Sequence, residues 1–245
     1  MRELFEANTI TFNNFSIDRN NCNNGRRYYE GITPFLGREQ ADERFGALLA
    51  EADWDTLPAA VRRRFGRKVK GGGTISYVGQ VTECRMSRLG WAVAQAARLI
   101  GGPLPLRRDV GVAATVNVTE DEAGGGQFWL RHYSAHHGFP QTIKSIKRFA
   151  GPTGIEEYLG YGLGIALSMG VKNGVLVFKS THYFLCFGTR RLRLPRWLTL
   201  GELTIGHQDC GDGWFAFTLD LRHRRFHELI HQRCMFTELS AGNVR

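Results

Sequence analysis

DVGVAATVNVTEDEAGGGQFWLRHYSA, residues 109–135, and QTIKSIKRFAGPTGIEEYLGYGLGIALSMGVKNGVLVFKSTHYFLCFG, residues 141–188, decide the fold. β-Branched and aromatic residues alternate with polar ones, and Gly-rich or Asn-Gly turns punctuate the run. Lys172-Asn173-Gly174 is the strongest hairpin signal, because Asn-Gly adopts the positive φ angles of a type I′ turn. Strands are predicted over 110–118, 128–134, 141–150, 155–169 and 174–188. Downstream, 200–209, 214–222 and 228–239 follow, the first two joined by a Cys210-Gly211-Asp212-Gly213 turn. Upstream, 71–84 reads as one more strand. A meander of about nine long antiparallel strands curls until it closes or half-closes as a barrel.

Helices are expected on the N-terminal side of this sheet. From Glu39 onward, Phe45, Leu48, Leu49 and Ala52 share one helical face. Thr56 and Pro58 suit the start of a second helix through AAVRRRF. Ser87 caps a third, with Leu89, Val93, Ala96 and Ile100 as its apolar face and Gly101-Gly102 as its stop. Residues 1–39 read as an Asn-rich N-terminal extension with little periodicity, and 40–245 as a single β-rich domain. The fold class is therefore mainly β (α+β).

The chain carries a net charge of +9, and arginine supplies most of its cations. Arg62–Lys70, Arg190–Arg196 and Arg222–Arg225 are the dense stretches. An anion, a membrane surface or a nucleic acid would suit such charge. Three separate clusters fit a solvated surface better than one nucleic-acid face, so nucleic acid is not the expected partner. Five cysteines, none in a C-x-x-C pair, suit reduced thiols. No apolar run is long enough to span a bilayer, and the first residues lack a basic segment followed by an apolar one. A cytoplasmic protein is expected.

Several short motifs resemble, in order, a bacterial family known as domain of unknown function 4166. They are LPAAVRRRF at 57–65, Trp129-Leu130-Arg131-His132-Tyr133 for a W-x-R-x-F strand, Glu157 and Gly160 for E-x-x-G, and Leu194-Pro195-Arg196-Trp197-Leu198 for a Leu-Pro turn. The resemblance runs from about Leu57 to Leu239. It implies a partner as well, since family members often follow a saccharopine-dehydrogenase-like NAD(P)-binding domain. No such domain is present in this sequence. Gly66 to Gly73 is no G-x-G-x-x-G after a strand, so no cofactor is predicted.

Trp129, Arg131 and Tyr133 share one strand face. If that face points into the barrel, Arg131 needs a carboxylate or an anionic ligand, and Glu157 is the candidate carboxylate. The bland reading is a salt bridge that pins the sheet; the functional one is a pocket that binds an apolar or amphipathic small molecule, in the service of an NAD(P)-dependent oxidoreductase. His182, in an aromatic-rich strand, completes the candidate ligand set. An alternative is an organic-cofactor-free isomerase, cyclase or hydratase using Arg131, Glu157 and His182; a third is an interaction module with basic patches. His227-Glu228-Leu229-Ile230-His231 is formally H-E-x-x-H, which on a helix would hold zinc. Read as a strand it puts His227 and His231 about 13 Å apart, so no metal site is expected.

Overall fold

The structure, a computed structural model, describes residues 39–70, 72–187 and 190–239. The predicted extension, Glu39 excepted, lies outside the described residues. Ten antiparallel strands close into a barrel: β3 (Thr74–Met86), β4 (Ala113–Asp121), β5 (Gly126–Tyr133), β6 (Gln141–Arg148), β7 (Ile155–Gly160), β8 (Leu163–Lys172), β9 (Val175–Phe187), β11 (Glu202–Gly211), β12 (Trp214–His223) and β13 (His227–Glu238). Short strands β1 (Glu39–Ala41) and β2 (Arg67–Val69) pair with each other, and β10 (Arg190–Arg193) extends the far end of β9. The order is a pure meander, closed where β13 pairs with β3 from Ile230↔Met86 to Glu238↔Tyr77. Closure leaves none of the ten with a bare edge along its whole length.

The turn signals hold in detail. Asn173 and Gly174 have φ of 52° and 74°, and Asp212 and Gly213 have 51° and 79°, as two-residue hairpins demand. The predicted strand 155–169 is in fact two. Tyr161 and Gly162, at φ 50° and 79°, make a further tight turn between β7 and β8. The glycines at 160 and 162 license that turn, while the continuous apolar pattern hid it.

Among the described residues, three α-helices accompany the barrel: α1 (Glu51–Asp55), α2 (Ala59–Phe65) and α3 (Arg88–Ala96). The helix expected from Glu39 does not form. Asp42 instead accepts the backbone N–H and the guanidinium of Arg44, and Leu49 is extended at ψ 156°, so only a short 3-10 turn precedes α1. Phe45 is nevertheless buried, packed edge-on against Phe65 of α2. A ten-strand barrel encloses more space than an eight-strand one. Phe45 and Phe65 help to fill one end of it, touching Phe178 of β9.

Ser87 caps α3 as expected, accepting the Gly90 N–H at 3.0 Å. The buried face is rotated from the predicted one: Gly90, Ala94 and Ala97 face inward, and Leu89 is exposed. The cause is close approach to β13. A Cβ on Gly90 would lie 2.0 Å from the Leu229 carbonyl oxygen. Gly→Ala inside a helix ordinarily stabilises by about 1 kcal/mol. Here Gly90→Ala is expected to destabilise, by about 1–3 kcal/mol, as overpacking does; urea unfolding checks the sign.

Candidate functional site

Inward-facing positions recur every second residue, and on β5, β6 and β7 they place charge at the barrel centre. Gln127, Trp129, Arg131 and Tyr133 come from β5; Ile143, Ser145 and Lys147 from β6; Ile155, Glu157 and Leu159 from β7. The registers Lys147↔Glu157 and Arg131↔Ile143 bring the charges within reach. Arg131 donates to Glu157 Oε1 at 3.3 Å and to Ser145 Oγ at 3.1 Å, while Lys147 Nζ donates to Glu157 Oε2 at 2.9 Å. Lys147 Nζ also sits 4.6 Å from the centre of the Trp129 ring, a cation–π contact. All three charged side chains are at most 5% exposed.

Burial alone would raise the Glu157 carboxyl. Lys147 and Arg131, with hydrogen bonds from Ser145 and Lys147, outweigh it and hold the group down to about 2. Burial, with Arg131 adding to it, pulls Lys147 below the ordinary lysine range against the pull of Glu157. Burial pushes the Tyr133 phenol up. Two cations thus face one carboxylate, and Arg131 Nε is buried with no hydrogen-bond partner.

Two voids flank the cluster. The larger, about 40 Å³, lies on the α2 side between aromatic walls that include Phe45, Phe65, Tyr77, Trp129, Phe215 and Phe236. Arg64, Arg67 and Arg131 line it, and no carboxylate does. The smaller, about 20 Å³, lies on the other side, against Leu104, Leu159, Ile165, Tyr183, Leu200 and Leu203. At the α2 end, Arg64 pairs with Asp209 at 2.8 Å and its NH1 lies 3.3 Å from His207 Nε2. A guanidinium can only donate, so His207 Nε2 accepts and is unprotonated. Burial, and then Arg64, lower the His207 pKa to about 3.

Of the candidates from sequence, Trp129, Arg131, Tyr133 and Glu157 share the interior. His182 does not join them. Its neighbour in sequence, Tyr183, lines the smaller void, whereas His182 faces outward beside Phe184 and within the fields of Arg193 and Glu156. Sequence reasoning missed Lys147 and Ser145. Counting in twos from Ile143 would have found them.

The H-E-x-x-H segment lies in β13, with His227 at φ 57° opening the strand and paired with His223. His231 meets a different set: Asp220 and Glu228, whose ligand atoms lie with its own within 4.8 Å of one another. His231 Nδ1 is 2.7 Å from Asp220, Arg85 Nε is 3.3 Å from Glu228, and Glu83 binds Arg233. The arginines balance these carboxylates, and an ion-pair network accounts for the group.

No helix among the described residues is long and apolar enough to cross a membrane. Neither the curated proteins nor the solved structures contain a match to this chain. A family model does match, over residues 57–236, which runs from just before α2 through the barrel to Phe236 near the end of β13. On that match the chain belongs to the family described as Domain of unknown function (DUF4166).

Proposed function

We propose that the barrel binds a small acidic amphipathic molecule, its anionic group against Arg131 and its apolar part in the aromatic chamber beneath α2. The observation that carries this reading is the unpartnered Arg131 Nε beside a void that no carboxylate lines: Arg64 and Arg67 are paired with Asp209 and Glu238, whereas Arg131 and Lys147 share the single carboxylate of Glu157. An uncompensated buried cation is costly, and a ligand anion offsets that cost. The void has room for roughly three waters, so it suits the head of a short acid. A longer ligand gains its room by displacing Phe45 and Phe65 outward. Such a barrel would serve an NAD(P)-dependent oxidoreductase by holding an acid that the enzyme uses or makes. The catalytic alternative is less favoured, because Glu157 is tied to both cations and His182 lies on the outer face.

Titration calorimetry with hexanoate and hexanol tests the proposal. Hexanoate is expected to bind at least about tenfold more tightly, as a charge-assisted contact requires. Binding is also expected to raise the Lys147 pKa, because a second anion nearby favours the charged ammonium. Val118→Phe, which fills the chamber wall, should abolish binding while circular dichroism stays unchanged. Equal affinity for the alcohol would overturn the reading.

A further inference from the structure

We propose that the barrel end opposite α2 docks on an anionic lipid bilayer. The described strand connections at this end are residues 87–112, 134–140, 161–162, 190–201 and 224–226. In sequence they carry ten arginines against one carboxylate, Asp109. Two of the arginine clusters that lie apart in sequence meet here, because β9 and β12 both run toward this end. The large apolar residues left exposed gather in the same place. Among the described residues, apart from Phe128 and Trp214, each belongs to these connections or to the strand tip they extend. Phe139, Leu99, Tyr161 and Trp197 are each at least 79% exposed, and the exposed Phe187 and Leu192 stand on the paired β9–β10 projection.

That combination selects the partner. Isolated exposed apolar residues are ordinary, but a gathered set marks an interaction surface. A second copy of the same face would bring arginines against arginines, so the charge opposes self-association. A nucleic acid would use the arginines but gives Leu99 and Leu192 nothing to bury in. An anionic bilayer uses both: aromatic rings settle at headgroup depth, aliphatic tips reach the acyl boundary, and arginines pair with lipid phosphates.

The surface is held in place. Arg191 of β10 binds Glu156 of β7 at 2.5 Å and the Tyr158 hydroxyl at 3.0 Å, which pins the β9–β10 projection to the barrel. Gly90 and Ala94 turn the small face of α3 inward, which leaves Leu89 and Trp91 outward on the same end. The attachment proposed is peripheral, through this end of the barrel.

Vesicle flotation of the full chain tests this independently of any ligand in the barrel. Phosphatidylcholine vesicles with about a third phosphatidylglycerol are expected to carry the protein, and pure phosphatidylcholine vesicles are not. Raising salt to about 0.5 M should weaken binding by at least tenfold. Trp197→Ser with Phe187→Ser, and separately Arg190→Glu with Arg193→Glu, should each reduce binding by at least about tenfold. Arg63→Glu with Lys70→Glu, at the α2 end, should leave it unchanged. All these residues are exposed, so thermal midpoints should not move. Wild-type protein that fails to float overturns the proposal. So does loss of binding in the α2-end variant alone, or equally tight binding to single-stranded RNA that ignores Trp197.

Discussion

Acidification from pH 6.5 to pH 4.5 is expected to weaken the fold by about 2 kcal/mol through His207 alone, the slope steepening to about 1.4 kcal/mol per pH unit well below pH 6.5. The ring is buried between Phe65 and Phe215, 4.9 and 4.5 Å away, and its Nε2 faces the Arg64 guanidinium. Its folded pKa is about 3 against an ordinary 6.5. Between those values the unfolded chain binds a proton that the folded chain refuses, so stability is lost as pH falls. The loss relative to neutral pH reaches about 4 kcal/mol near pH 3, a large part of a typical total. Urea titrations at pH 7.5, 6.5, 5.5 and 4.5 measure the slope. His132 and His182 are lowered as well, so the comparison that decides is with His207→Gln, whose slope should be shallower by most of this amount. Identical slopes in the two proteins would show that His207 titrates freely.

The second large effect belongs to Glu157→Gln. It removes the one carboxylate between Arg131 and Lys147 and leaves buried positive charge without compensation. A cost of about 3–5 kcal/mol is expected, or a fall in Tm of about 10 °C for a domain of this size. Lys147→Met should cost much less, because Glu157 keeps Arg131 and a buried ammonium no longer has to be desolvated. The same carboxyl has its own pH signature. With a folded pKa of about 2 against 4.5 unfolded, it contributes about 3 kcal/mol that is present above pH 4.5 and lost as pH falls toward 2. The variant should lack that lower limb. If Glu157→Gln and Lys147→Met prove equally harmful, the charge account fails and packing explains both.

The barrel was legible because its strands announce themselves locally. Asn173-Gly174 and Asp212-Gly213 fix two hairpins with no tertiary information, and period-two alternation orients β5. Strand alternation left Arg131 in need of a carboxylate or an anionic ligand if its face pointed inward, with Glu157 as the candidate carboxylate; the structure sets the two 3.3 Å apart. The hidden parts depend on distance across the fold. No local pattern places α3 against β13 closely enough to reject Leu89 in favour of Gly90. His182 and Tyr183 are neighbours on opposite faces, and the strand's aromatic richness on both sides concealed which was which. The gathering of arginines at one end required knowing that β9 and β12 point the same way. Spread along the sequence, the same residues read as a solvated surface.

The closed meander has a kinetic consequence. Every pairing within the barrel joins strands that are adjacent in sequence, or separated only by β10, except the seam between β3 and β13. Local hairpins close short loops and form early, whereas the seam must bring together residues such as Gly79 and Phe236, so its loop-closure entropy is the largest in the fold. Folding is therefore expected to end with this zippering, and Gly79, where a Cβ would lie 1.8 Å from the Met235 carbonyl oxygen, governs how tightly the last two strands can approach. A circular permutant that joins β13 to β3 and opens the chain at Asn173–Gly174 would make β8–β9 the last seam to close, changing the order of assembly while leaving the same barrel.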